Sequence, residues 1–358
     1  MTPRDRGRLE SLLRSGPRWP SLGLVVAFTL AIGCAEPVPS VPSPTSPPSP
    51  ATPSPASPAS ARGPIQQNQS PALDGSATTI AFSARIDSPT DGDIYTVRID
   101  GRNLRRLTSS PANEYSASWS PDGREIVFRS APSSDASEQG PSNIAVVNVA
   151  DLKTTFLTHD AKLGNWSPAW SPTGDWIAYY SGGVGRLGLY LMRPDGSGNH
   201  RIAEGDAEYP AWSPDGRRLV FMSLGFPAGS SSSDYDIYVV GADGRNLQRL
   251  TQLSGEDGWP AWSHDGTRIA YARMNDTGEE IHVMTADGRE DRAITDPSDG
   301  LAHSYPNWSA NDGYLAYSAY PQEDSSTAAG GMYVMHPDGS GPLLIMPDGV
   351  GPVWQPVP

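Results

Sequence analysis

The chain of 358 residues carries one cysteine, Cys34, and two lysines, Lys153 and Lys162. A single thiol excludes an internal disulfide framework and a cysteine-rich zinc site. Positive charge is scarce, with 26 basic against 40 acidic side chains and a net charge of −14. That balance excludes non-specific nucleic-acid binding, which needs a basic footprint. The apolar stretch near the N-terminus, residues 22–32, has eleven residues. A helix needs about 20 to span a bilayer. Glycine (37) and proline (36) are abundant instead. Neither is tolerated well inside helices, so a mainly helical protein is excluded.

The first 75 residues read as an address and a tether. Five arginines precede the apolar stretch, and small residues follow it, the pattern of a secretory signal peptide over residues 1–33. The stretch ends in Ala31-Ile32-Gly33-Cys34, with Leu30 before it. This is similar to the bacterial lipobox, which implies lipidation of Cys34 and anchoring outside the cytoplasmic membrane. Removing residues 1–33, with five arginines and two acids, takes the net charge from −14 to −17. An acidic body is repelled by anionic lipid, so acyl chains would hold it. Eleven of residues 35–64 are proline and most others are Ser, Ala, Thr or Val. Such a segment favours extended polyproline II and serves as a spacer. Residues 34–75 are therefore expected to be a disordered linker.

Residues 76–358 repeat. The phrase S-A-S-W-S-P-D-G-R-E-I-V-F (116–128) returns at 167–179, 209–221 and 259–271, loosely at 305–317, and truncated at 351–358. Its tryptophans, Trp119, Trp170, Trp212, Trp262, Trp308 and Trp354, are 51, 42, 50, 46 and 46 residues apart. A second phrase, D-I-Y-T-V-R-I-D-G (93–101), also recurs six times, and most copies lead into a short R-L-T segment. Asp-Gly between apolar runs signals a tight hairpin, because glycine accepts positive φ. Each unit reads as four strands, A to D. Four-stranded units of about 40–50 residues predict propeller blades. The first B strand, at 79–84, has no A strand before it, and the last A strand, at 351–355, has no B strand after it. The expected fold is an all-β, six-bladed propeller of antiparallel blades, closed by the C-terminal strand joining the N-terminal blade. The W-S-P-D-G, I-A-F, I-Y-V, D-G, R-L-T unit resembles the repeat of TolB-like six-bladed β-propellers. That family includes periplasmic protein-binding propellers, non-catalytic domains of peptidases and some polysaccharide lyases.

The repeated residues read as scaffold. The six tryptophans are expected between blades, and Asp122, Asp215 and Asp265 in their own turns. Function is expected where the copies differ. The B–C loops at 131–142, 225–234 and 321–330 are long, and they share a face with the D–A connections. Before the A strands stand Glu114-Tyr115, Asn165-Trp166, Glu208-Tyr209, Asp257 with Trp259, and His303 with Tyr305. Aromatics beside polar or acidic groups at a channel mouth suit a peptide, a basic side chain or a sugar. The expected activity is non-catalytic binding of an envelope protein, peptide or glycan by a monomer. The alternatives are a lyase-like carbohydrate-active enzyme, or a propeller holding a divalent cation through Glu114, Glu208, Asp257 and His303. The sequence has no G-x-S-x-G elbow, and its six histidines show no paired metal-ligand spacing.

Overall fold

The computed structural model describes residues 79–357 apart from 88–90, 133–140, 161–163, 183–186, 226–233 and 323–329. The signal segment, Cys34, the proline-rich linker and most of the three long B–C loops lie outside the described residues. Among those described, no helix is long and apolar enough to cross a membrane.

The strands form six four-stranded sheets. Blade 1 holds β1 (Thr79–Ala84), β2 (Asp93–Arg98) and β3 (Arg105–Arg106). Blade 2 holds β4 (Ala112–Trp119), β5 (Glu125–Pro132), β6 (Asn143–Asn148) and β7 (Thr154–Phe156). Blade 3 holds β8 (Gly164–Trp170), β9 (Ile177–Gly182), β10 (Gly188–Met192) and β11 (His200–Glu204). Blade 4 holds β12 (Glu208–Trp212), β13 (Arg218–Ser223), β14 (Asp236–Gly241) and β15 (Gln248–Arg249). Blade 5 holds β16 (Glu256–Trp262), β17 (Arg268–Asn275), β18 (Gly278–Thr285) and β19 (Arg292–Ala293). Blade 6 holds β20 (Leu301–Trp308), β21 (Leu315–Pro321), β22 (Gly331–Met335) and β23 (Leu343–Met346). The last strand, β24 (Val350–Trp354), pairs with β1 and completes blade 1 in the order β24-β1-β2-β3. Each inner strand touches the next, and β24 touches both β20 and β4, so the ring is closed. Closure removes the exposed edge that an open end would leave.

The core is six wedges, one at each blade junction. Ile80, Phe82 and Tyr95 of blade 1 pack with Val334 of blade 6, while Ala81 and Ile94 pack with Phe128 of blade 2. The four remaining junctions repeat this arrangement. B and C strands are thus buried on both faces, which is why they read as continuous apolar runs.

The repeated tryptophans staple the wedges. The indole N–H of Trp119 donates to Val353 O (3.2 Å), of Trp212 to Ala169 O (3.0 Å), of Trp308 to Ala261 O (3.2 Å) and of Trp354 to Asn307 O (3.2 Å), each in the preceding blade. Turn aspartates act locally. Ser120, Ser213 and Ser263 hydroxyls donate to Asp122, Asp215 and Asp265 at 2.7, 2.6 and 2.6 Å. Blade 5 has His264 where blades 2, 3 and 4 have proline, which adds a backbone N–H. Asp312, which takes the left-handed glycine position in the equally long turn of blade 6 (φ 55°, against 71° for Gly266), accepts from His264 N (2.7 Å) and Asp265 N (2.8 Å). This glycine-to-aspartate replacement thereby supplies a partner for the donor that losing proline exposes.

Candidate functional site

Every inner strand carries the same irregularity. The residue three before each repeat tryptophan is left-handed: Ser116 (φ 55°), Ser167 (51°), Tyr209 (49°), Trp259 (50°), Tyr305 (55°) and Gly351 (61°). The ladder to the second strand shifts at each of these places. Such bulges bend a strand and re-aim its side chain. In five copies the next residue is proline, which has no N–H to leave unpaired there.

The bulge sorts the expected site residues into three groups. The first comprises Tyr209, Trp259 and Tyr305, at the left-handed position in blades 4, 5 and 6. Their rings converge, with centroids 4.8 Å apart for Trp259–Tyr305, 5.9 Å for Tyr209–Tyr305 and 6.0 Å for Tyr209–Trp259. The hydroxyls of Tyr209 and Tyr305 are 3.5 Å apart. Blades 4 and 6 are separated by blade 5, so these rings meet in the space that the inner strands enclose. Blades 1, 2 and 3, across the ring, present Gly351, Ser116 and Ser167. One half of the channel is therefore aromatic and the other is lined by small residues. Left-handed backbone costs a bulky residue roughly 1–2 kcal/mol, and strain of this kind gathers at functional sites. Trp259 Nε1 is also a buried donor with no acceptor among the described residues.

Tyr115, Trp166 and Glu208 form the second group, one position earlier. Trp166 stacks on Tyr180 at 5.1 Å and lies over Gly164 and Gly182, where a Cβ would sit 1.7 and 2.4 Å from its ring. Those glycines make its seat. Tyr115 covers Gly92 of blade 1 and accepts from Arg85 Nη2 at 3.4 Å. Both aromatics are wedges.

Glu114, Asn165, Asp257 and His303 form the third group, two positions before the bulge residue. All are buried, at 2%, 1%, 0% and 2% exposure, and all face the preceding blade. Backbone N–H groups of Glu114, Asn165 and Asp257 donate to Gly92, Ser142 and Tyr235 carbonyls at 2.8, 3.1 and 2.8 Å. Thr108, Thr158, Thr251 and Thr295 of the R-L-T segments accept from Ile94, Ile144, Ile237 and Ile281 N–H at 2.9, 2.9, 2.9 and 2.8 Å. These threonines tie the fourth segment of a blade to its third strand. Thr108 and Thr251 also steady the charged forms of Glu114 and Asp257.

Charge is handled differently at each junction. Arg106 pairs with buried Asp93 at 2.7 Å and Arg249 with buried Asp236 at 2.5 Å. Blade 2 has Asn143 and Phe156 at these positions, so neutral asparagine leaves the arginine unneeded and the phenylalanine exposed. In blade 5, Arg273 grips Asp257 with both arms of its guanidinium (2.7 and 3.1 Å) and reaches Asp291 at 2.8 Å. Tyr271 and His282 Nδ1 approach the other oxygen of Asp291 at 2.8 and 2.9 Å, and these partners outweigh burial, holding its pKa down at about 2. Burial pushes Glu114 up to about 7 and Asp93 to about 6, the latter against its arginine. Burial lowers His303, opposed by Asp299 Oδ2 at 3.1 Å from Nε2. Glu208 is half-buried, with Tyr180 and Tyr235 within its field.

The four groups considered for a cation do not meet. Glu114, Asp257 and His303 are sealed in three different junctions. Among the described residues, no group of three His, Cys, Asp or Glu side chains is placed to hold a metal ion. In sequence the aromatics differ only in their distance from the repeat tryptophan, three residues for Tyr209, Trp259 and Tyr305 and four for Tyr115 and Trp166, and the bulge is what turns that difference into two directions.

Comparison with known proteins agrees with this architecture. The family profile described as TolB beta propeller domain matches residues 203–333. A protein TolB homolog of Chlorobium luteolum is 37% identical over 136 residues, 37% of this chain and 29% of that protein. An uncharacterized protein of Agrobacterium fabrum is 31% identical over 171 residues, 46% of this chain and 55% of that protein. The chain thus spans about half, or less, of these relatives. The crystal structure of TolB from Acinetobacter baumannii superposes with a TM-score of 0.63 at 20% identity, over 78% of this chain and 67% of that one. At that identity the likeness is one of fold. Repeat phrase, strand order and ring closure together make this chain a six-bladed β-propeller, similar to TolB over its matched segment.

Proposed function

We propose that this chain is a lipid-anchored propeller on the outer side of the cytoplasmic membrane that binds an envelope protein without catalysis, through its channel. The observation that carries this reading is the asymmetry of the channel. Three aromatics held in left-handed backbone stand on one half, and small residues on the other. Rigid aromatic faces give contact area at low entropic cost, and the Trp259 N–H awaits an acceptor. The likeness to TolB proteins supports an envelope role.

The decisive comparison is among channel and wedge variants. Immobilised wild-type protein, the Tyr209→Ala/Trp259→Ala variant and the Trp166→Ala variant are presented with solubilised envelope proteins, and in parallel with a panel of polysaccharides. The channel variant is expected to lose partner capture at least tenfold while keeping its melting temperature within a few degrees. The Trp166 variant, which removes a partly buried ring, is expected to lose stability by up to about 3 kcal/mol, the low end for truncating a packed tryptophan, and to keep binding when folded. Full retention of capture by the channel variant, or depolymerisation of a glycan by the wild type, would remove the proposal. Anchoring is tested separately, since Cys34→Ser is expected to move the protein from the membrane fraction to the soluble one, and an unchanged distribution would contradict it.

A further inference from the structure

Glu279 is an acid buried between blades 5 and 6. It lies on β18 and is 3% exposed, and neither carboxylate oxygen has a hydrogen-bond partner among the described residues. Beside it on β20 stands Ser304, 0% exposed, whose hydroxyl is also unpartnered there. Ser304 is followed by Tyr305, the blade 6 member of the aromatic cluster.

The charged groups around this point give Glu279 no counter-ion. Glu256, on β16, faces it with like charge. Arg273, on β17, is committed to Asp257 and Asp291. Glu280 and His282, the other titratable groups on its own strand, lie 3.3 Å apart, and His282 Nδ1 reaches Asp291 at 2.9 Å. His303, on β20, is engaged by Asp299, with Asp296 close by in the turn before that strand.

We infer that Glu279 is a proton-dependent latch on the channel: protonated, it lets β18 and β20 close around Ser304 and seats Tyr305 against Trp259, and ionised, it opens that junction. The chemistry follows from burial. A neutral carboxyl donates its proton to a neighbouring oxygen and fits a dry junction, whereas a carboxylate without a cation draws in water. Burial raises its pKa to about 8, with Ser304 opposing and Glu256 adding to the rise. This pKa lies above the ordinary value of 4.5, so the fold holds the proton more tightly than the unfolded chain. The closed junction is therefore fully stable below about pH 4.5 and weakens as pH rises through about 8. The latch regulates the site proposed above and rests on that reading only for its consequence, not for the opening itself.

Hydrogen–deuterium exchange of the segment 301–308, corrected for the intrinsic pH dependence of exchange, tests the opening without any ligand. Protection in the wild type is expected to fall at least tenfold between pH 6 and pH 9, while Glu279→Gln holds its pH 6 protection throughout. Equal loss in the glutamine variant, or no loss in the wild type, would overturn the latch. Should Glu279→Gln fail to fold, the wild-type titration still decides: a midpoint near pH 8 supports it, and flat protection overturns it. Loss of protection without any change in partner capture between pH 6 and pH 9 would keep the opening and discard its control of binding.

Discussion

Replacing Arg273 by leucine is expected to destabilise the propeller by about 3–5 kcal/mol at pH 7, the usual cost of breaking a buried ion pair by removing one partner. For a domain of this size that is a fall of roughly 10 °C in melting temperature. The reason is Asp257, which is fully buried and whose two oxygens are held by this guanidinium. Burial raises the pKa of Asp257 and Arg273 is the main opposing influence. Without the arginine the carboxyl takes up a proton or stays as an uncompensated charge. Two further measurements separate this cause from lost packing. The destabilisation should shrink near pH 4, where a protonated Asp257 needs no counter-ion. The double variant Arg273→Leu/Asp257→Leu should be more stable than Arg273→Leu alone. Urea titrations giving the same loss at both pH values, with no recovery in the double variant, would show that packing dominates.

The second large effect concerns closure. A chain ending at residue 349 should lose cooperative unfolding, expose apolar surface to a hydrophobic dye and associate on gel filtration. Loss of β24 uncovers the β1 edge of blade 1 and takes away Val353 O, the acceptor of the Trp119 indole. It also removes the Trp354 side chain from the wedge between blades 1 and 6. An unpaired inner edge is a template for pairing with another chain. A peptide of residues 350–358 added in trans should restore a monomeric, cooperative transition. Trp354→Ala, which keeps the strand, should cost only about 3–5 kcal/mol. A truncated protein that melts cooperatively as a monomer would mean that the other blades hold the ring without the last strand.

Burial and sequence explain the two effects in different ways. Closure was readable, because counting strands left an unpaired B strand at 79–84 and an unpaired A strand at the end. β1 spans Thr79–Ala84, and β24 lies one residue earlier than the expected 351–355. The Arg273–Asp257 pair was not readable. Asp257 stood in a row with Glu114 and His303 before the A strands, and nothing local distinguishes an acid facing a channel from one facing a neighbouring blade. Which way it points is set by the bulge, and its counter-ion comes from a different strand, 16 residues on.

The sequence alone determined the number of blades, their boundaries and their closure. These depend on repeated turns and apolar runs, and each copy reports its own local backbone preference. It also determined the scaffold role of the tryptophans and turn aspartates, because residues that recur in every copy serve what every copy shares. Only the tertiary structure divided the residues at the channel mouth. A single left-handed residue reverses the direction of the side chains on either side of it, so Tyr209, Trp259 and Tyr305 meet in the channel while Trp166, one position earlier in its strand, lies in a seat of glycines. The acids two positions before the bulge are sealed between blades, and their charges are governed by groups that strand pairing within their own blade or packing on the preceding one brings near.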